Sequence, residues 1–88
     1  MLTETLTVKT RAGIHARPAS QIVKTAQQFK SDIFFVKDNM KINGKSIMGV
    51  ITLGATYNSQ LEVECSGPDE EAMITAIKSL FDNHFEEV

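Results

Sequence analysis

The chain has 88 residues, 42% of them hydrophobic, a net charge of −2 and a single cysteine. One hydrophobic core, and so one domain over residues 1 to 88, is what that length supports. No run of about 18 apolar residues is available to span a bilayer, the opening "MLTETLTVKT" lacks the basic-then-apolar pattern of a secretory signal, and Cys65 has no partner for a disulfide, so a cytoplasmic protein without membrane insertion is expected.

In chain order, residues 2 to 8 place Leu2, Leu6 and Val8 on one face and threonines on the other, which predicts a half-buried strand despite Glu4. Residues 16 to 29 put Ala19, Ile22, Val23, Ala26 and Phe29 at helical spacing, with Pro18 tolerated in the first turn, and this predicts a helix beginning just after His15. "DIFFVK" at 32 to 37 and "MKIN" at 40 to 43, separated by Asp38 and Asn39, read as a hairpin. "SIMGVITLG" at 46 to 54 reads as a brief helix capped by Ser46 and closed by Gly54, with a strand as the alternative that propensity leaves open. "QLEVECS" at 60 to 66 alternates strictly, Leu61, Val63 and Cys65 inward, so Cys65 is a core residue rather than a reactive thiol. After it, Pro68 suits the first helical position and Asp69, Glu70 and Glu71 its first turn, ahead of an apolar stripe of Met73, Ile77, Leu80 and Phe81 that runs to about His84. One-sided strands with amphipathic helices in the order β-α-β-β-α-β-α imply an α+β two-layer sandwich, an open sheet covered on one face.

Charge is spread unevenly: residues 1 to 61 carry eight basic and three acidic side chains, residues 62 to 88 one basic and eight acidic. The first stretch favours anionic partners near His15. A neutral imidazole is a competent nucleophile, and the unfilled N–H groups of a helix start would accept a phosphoryl group placed on the ring. Because Pro18 has no N–H, the available amides are those of Ala16 and Arg17. The Arg17 guanidinium can pair with phosphate oxygens, and Gly13 has the φ freedom to bring backbone close to the ring. These parts are compatible with a covalent phosphate carrier at His15, although a G-x-H-x-R-P match by itself has modest specificity.

Other chemistries find less support. His84 is the only other histidine, nothing lies at a chelating offset from His15, and no metal or other cofactor is expected; His84 itself suits a helix C-terminus as a structural residue. No nucleophile, base and acid can be matched by spacing into a triad. "NGKS" at 43 to 46 ends like a P-loop, but position 39 is Asn where that motif has Gly. A nucleic-acid-binding domain is a further reading of the basic first 61 residues, against which Phe34 and Phe35 fall on opposite faces without basic interleaving and no G-x-x-G clamp is present.

"GIHARPAS" at 13 to 20 and "KSIMGVITLG" at 45 to 54, at this separation and in this element order, strongly resemble the HPr family of histidine-containing phosphocarriers of the phosphoenolpyruvate:sugar phosphotransferase system, with "KSIMG" similar to its low-GC Gram-positive branch. The resemblance covers essentially the whole chain. It implies that His15 accepts a phosphoryl group from enzyme I and passes it to enzyme IIA domains of sugar permeases, without independent turnover, and that Arg17 stabilises the phosphohistidine. It further implies regulatory phosphorylation of Ser46 by an HPr kinase/phosphorylase, recruiting a catabolite control protein. Ala16, Ser20, Lys24, Ile47, Met48 and Ile51 would form the docking face, although half of these could simply pack the core. "SDIFFVKDNMKINGKSIMG" is also similar to the paralogue Crh, a regulator without the active histidine, so a regulation-only role is the alternative. Ala12 and Ser20 depart slightly from the family pattern around the site, which bears on partner preference more than on chemistry.

Overall fold

Alternation along the strands decides which face of the sheet is dry, and the amphipathic helices then have one place to go. The computed structural model describes residues 1–83 and 85. Its elements are β1 (Leu2–Thr7), α1 (Ala16–Ala26), β2 (Asp32–Lys37), β3 (Met40–Asn43), α2 (Ile47–Thr52), β4 (Gln60–Ser66) and α3 (Glu70–Asp82). The four strands form one antiparallel sheet in the order β1-β4-β2-β3, with the helices on one face, the expected open-faced α+β sandwich. Leu6 opposite Leu61, and Phe35 opposite Val63 on one strand and Ile42 on the other, set the register that puts these residues with Ile33 and Cys65 on the helical side and leaves Phe34 and Val36 on the other.

The core joins Ile33, Phe35, Leu61, Val63 and Cys65 of the sheet to Ile22 and Val23 of α1 and Met73, Ile77 and Phe81 of α3. Phe81 bridges Phe35 and Phe85 at ring-centroid distances of 6.4 and 4.8 Å. Glu4 does occupy the inward row of β1, as its position in the alternation requires. It is accommodated at the sheet edge by Lys78 of α3, 3.8 Å away. Asp38 and Asn39 both take positive φ, 49° and 69°, the two-residue turn whose twist suits a hairpin.

Three boundaries differ from expectation. β1 ends at Thr7; Val8 stays buried and trades backbone bonds with Asn58 and Ser59 instead of with β4. α1 stops at Ala26, three residues early, because Gln28 and Phe29 donate to Thr25 and Ala26 in tightened i to i−3 bonds, and Lys45 Nζ takes the Phe29 carbonyl at 3.0 Å. α3 begins at Glu70, so Pro68 lies outside the helix and Asp69 is its N-cap rather than a first-turn acid. The cause is tertiary. The Asp69 carboxylate accepts from the N–H groups of Lys30 and Ser31 and from the Ser31 hydroxyl, while its own N–H donates back to Ser31 Oγ. These donors hold Asp69 at about 2, well under its ordinary 3.8, the Ser31 hydroxyl foremost. His84, expected near the end of the helix, lies outside the described residues.

On the open face Phe34 is half-buried and Phe35, on the other side, fully buried, as alternation requires. Lys41 does lie over the Phe34 ring, 4.9 Å from its centroid, a basic neighbour that the residue order in β2 hides because it comes from β3. It is also 3.2 Å from Glu64, and with Glu62 and Asp32 on the same face the surroundings are acidic. Among the described residues no helix is long and apolar enough to cross a membrane.

Candidate functional site

His15 is the N-cap of α1, with extended backbone (φ −101°, ψ −165°) and an exposed ring. Its carbonyl accepts the first intrahelical bond, from Ala19 N at 3.0 Å. Pro18 has no N–H, so Ala16 and Arg17 supply the amides of the first turn that precede any intrahelical acceptor. The His15 side chain does not cap them, and that turn contains no acidic residue. Pro18 and Ala19 are buried, which fixes the first turn to the core while Ala16 and Arg17 face solvent.

The loop that delivers His15 is tied down from two sides. Thr10 Oγ1, itself buried, donates to Gly13 O at 2.8 Å, and Gly13 N returns a bond to Thr10 O at 3.0 Å. Ile14 is buried and its N–H donates to Ala55 O at 2.9 Å. Gly13 has φ +76° and lies so close to the chain after α2 that a Cβ there would stand 2.6 Å from Ala55 O. Glycine is thus required at this position for close approach as well as for φ. The consequence is that α2 and the histidine loop share one anchor and hold a fixed relation.

Ser46 is the N-cap of α2, as its chemistry predicts, and its Oγ accepts from Gly49 N at 3.1 Å. The helical reading of 46 to 54 holds over the strand alternative, and Gly54 ends it at φ +61°. Gly49 has a second purpose: a Cβ there would lie 2.6 Å from Ile42 Cγ2, so only a residue without one lets α2 settle on β3. Val50 is buried beneath α2, Ile51 is half-buried against the core, and Ile47 and Met48 are 43% and 71% exposed. Ala16, Ser20 and Lys24 form an exposed i, i+4 row on α1, which packs beside α2.

The structure therefore leaves His15, Arg17, Ser20 and Lys24 exposed at the start and along α1, leaves Ser46, Ile47 and Met48 exposed at the start of the neighbouring α2, and turns Ile51 partly inward. Thr10, Gly49 and Ala55, which position these residues, went unread in the sequence. The three-residue spacing from Thr10 to Gly13 is a hydroxyl-turn signal that was available; Gly49 and Ala55 carried none, because their role is set by residues distant in the chain. Among the described residues no cluster of His, Cys, Asp and Glu is arranged to hold a metal ion.

Residues 2–83 match the family model described as the PTS HPr component phosphorylation site. The chain is 49% identical over 87 residues to phosphocarrier protein HPr of Treponema pallidum (strain Nichols), covering 99% of each chain. It superposes on the crystal structure of HPr-C-His from Thermoanaerobacter tengcongensis with a TM-score of 0.96 and 41% identity, covering 100% of this chain and 99% of that one. Against Crh, the catabolite repression protein of Bacillus subtilis, the TM-score is 0.77 at 31% identity, covering 96% of this chain and 97% of that one.

Proposed function

The chain belongs to the HPr family of phosphocarrier proteins of the phosphotransferase system, and on that premise we propose that His15 is its phosphoacceptor, loaded by enzyme I and unloaded onto enzyme IIA domains for sugar uptake. The observation that carries this reading is the exposed His15 ring at the start of α1, next to a first turn that contains no acidic residue and whose Ala16 and Arg17 amides the His15 side chain does not cap. A ring nitrogen attacks phosphorus in line, the new N–P bond forms as the bond to the donor breaks, and the dianionic group falls among N–H donors and the Arg17 guanidinium. Transfer onward reverses the step. The partners supply most of the catalysis, so residues 1 to 88 act as one cytoplasmic carrier domain with no turnover of its own.

Ala16, Ser20, Lys24, Ile47 and Met48, with the exposed part of Ile51, are the docking face. Ser46 caps the helix that carries Ile47 and Met48 and is itself exposed, and its phosphorylation by an HPr kinase/phosphorylase would add a dianion at a helix start, where the backbone tolerates it. That modification is read by a catabolite control protein. The regulation-only alternative rests on the likeness to Crh and uses Ser46 alone; the histidine and its unfilled amides favour the carrier.

The deciding experiment is intact-protein mass after incubation with phosphoenolpyruvate and purified enzyme I, repeated after mild acid, which hydrolyses phosphohistidine and spares phosphoserine. A gain of one acid-labile phosphoryl group, absent in His15→Ala, is expected. Full labelling of His15→Ala would overturn the assignment, and labelling only by an ATP-dependent serine kinase would leave the Crh-like regulator.

A further inference from the structure

Oxidisable sulfur in this protein is sorted by burial. Met73 and Cys65 are fully buried, whereas Met1, Met40 and Met48 are 75%, 36% and 71% exposed. Burial, with the Glu70 carboxylate second, pushes the Cys65 thiol up to about 11, so it stays protonated and unreactive as well as shielded. Met1 is remote from His15: its amino group is 3.2 Å from Glu70, in the turn that clasps the far end of α1, and the 11 residues of α1 rise about 16 Å between the two ends. Met40 lies at the β2–β3 turn and is the least exposed of the three. Met48 alone combines high exposure with a place two residues beyond the Ser46 cap on α2.

The interactions that seat α2 do not use the Met48 side chain. Val50 and Ile51 anchor α2 to the core, Gly49 seats it on Ile42, and the Ser46 cap and the bond from Thr52 Oγ1 to the Met48 carbonyl, 2.6 Å, involve none of its side-chain atoms. A flexible, polarizable apolar chain held in water beside Ile47 is of use for contact with a partner surface, and its sulfur is the part that chemistry can change.

We propose that Met48 is a reversible oxidation site, where a hydroperoxide converts the thioether to its sulfoxide and so weakens docking of protein partners around His15. The inference rests on the docking face assigned above. A sulfur lone pair attacks one peroxide oxygen, the S–O bond forms and the O–O bond breaks. The second oxygen leaves and takes up the proton that the transferred oxygen gives up, so that with hydrogen peroxide the product is water. Sulfur loses the two electrons that the peroxide gains. The product is polar and chiral at the centre of an apolar contact, and a methionine sulfoxide reductase reverses it. Because the cap and core contacts that seat α2 are untouched, the change falls on recognition.

The test treats the folded protein with hydrogen peroxide, maps oxygen uptake by peptide mass, and measures the KM of enzyme I for the treated carrier. Met1 and Met48 should oxidise first, Met40 more slowly and Met73 last, and the KM should rise about tenfold in step with Met48 sulfoxide, the size of one lost interface anchor. The KM should return after treatment with the reductase. In Met48→Leu, referred to its own untreated value, peroxide should change little; in Met40→Leu the rise should persist. Complete Met48 sulfoxide with an unchanged KM, or a Met48→Leu protein that responds like the parent, overturns the proposal. Met48→Glu without peroxide separates the two readings: an unimpaired KM overturns the docking face itself, whereas an impaired one alongside a silent sulfoxide overturns only the redox step.

Discussion

The loop after α1 and the first turn of α1 both present N–H groups outside the regular bonding, and they treat them in opposite ways. Beyond the C-terminus of the helix the free N–H groups of Lys30 and Ser31 are filled by the carboxylate of Asp69, a permanent anion supplied by the chain. At its N-terminus the amides of Ala16 and Arg17 face a histidine that does not cap them, with no acid in the turn. One end is closed and adds stability; the other is open and adds binding capacity. Donors that a structure leaves unfilled on a rigid element are where an exchangeable anion can come and go.

The largest change in stability is expected from breaking the closed end. Asp69→Ala removes the acceptor of three donors at once and should lower the thermal midpoint more than any substitution below. Since the folded carboxyl sits at about 2 against 3.8 when unfolded, the clasp contributes fully above about pH 4 and is lost as pH falls through about 2. Urea midpoints at pH 7 and pH 3 should therefore differ less in Asp69→Ala than in the parent. Equal acid sensitivity would assign that loss to another group.

At the open end, Gly13→Ala should cost about 2 kcal/mol in a urea melt, from the left-handed φ together with the clash against Ala55 O. It should also slow phosphorylation by displacing the histidine loop, and a variant of unchanged stability would show that the loop relaxes freely. Arg17→Ala is expected to leave the fold intact and slow transfer from enzyme I about tenfold while acceptance stays detectable, the scale of one charge-assisted bond. Initial rates of phosphohistidine formation test this, and an unaltered rate would remove Arg17 from the site.

The smallest effect is at the Ser46 cap. Ser46→Ala should cost about 1 kcal/mol, whereas Ser46→Asp keeps an acceptor for Gly49 N and should retain most of that stability. Ser46→Asp should nevertheless lower enzyme I-dependent phosphorylation several-fold, because it adds negative charge to the face shared with His15. If both substitutions lowered the rate equally, loss of the Ser46 hydroxyl rather than the added charge would be responsible.

Periodicity, caps and turn residues act over a few positions, and whatever they govern was legible in the sequence. The alternation of Leu61, Val63 and Cys65 identified β4 and its inward face, the spacing of Ala19, Ile22, Val23 and Ala26 identified the buried side of α1, and Ser46 and Gly54 bounded α2. The histidine before a helix-opening turn, with Arg17 and Pro18, pointed to the chemistry proposed for the site for the same local reason. Tertiary structure alone decided the sheet order β1-β4-β2-β3, the partner of Glu4, the exclusion of Pro68 from α3, and the clasp of Asp69 on Ser31, 38 positions away. It also divided the apolar residues of α2, turning Ile51 toward the core and leaving Met48 in water. These depend on which distant surfaces meet once loops have closed and the core has packed, and no local pattern encodes them.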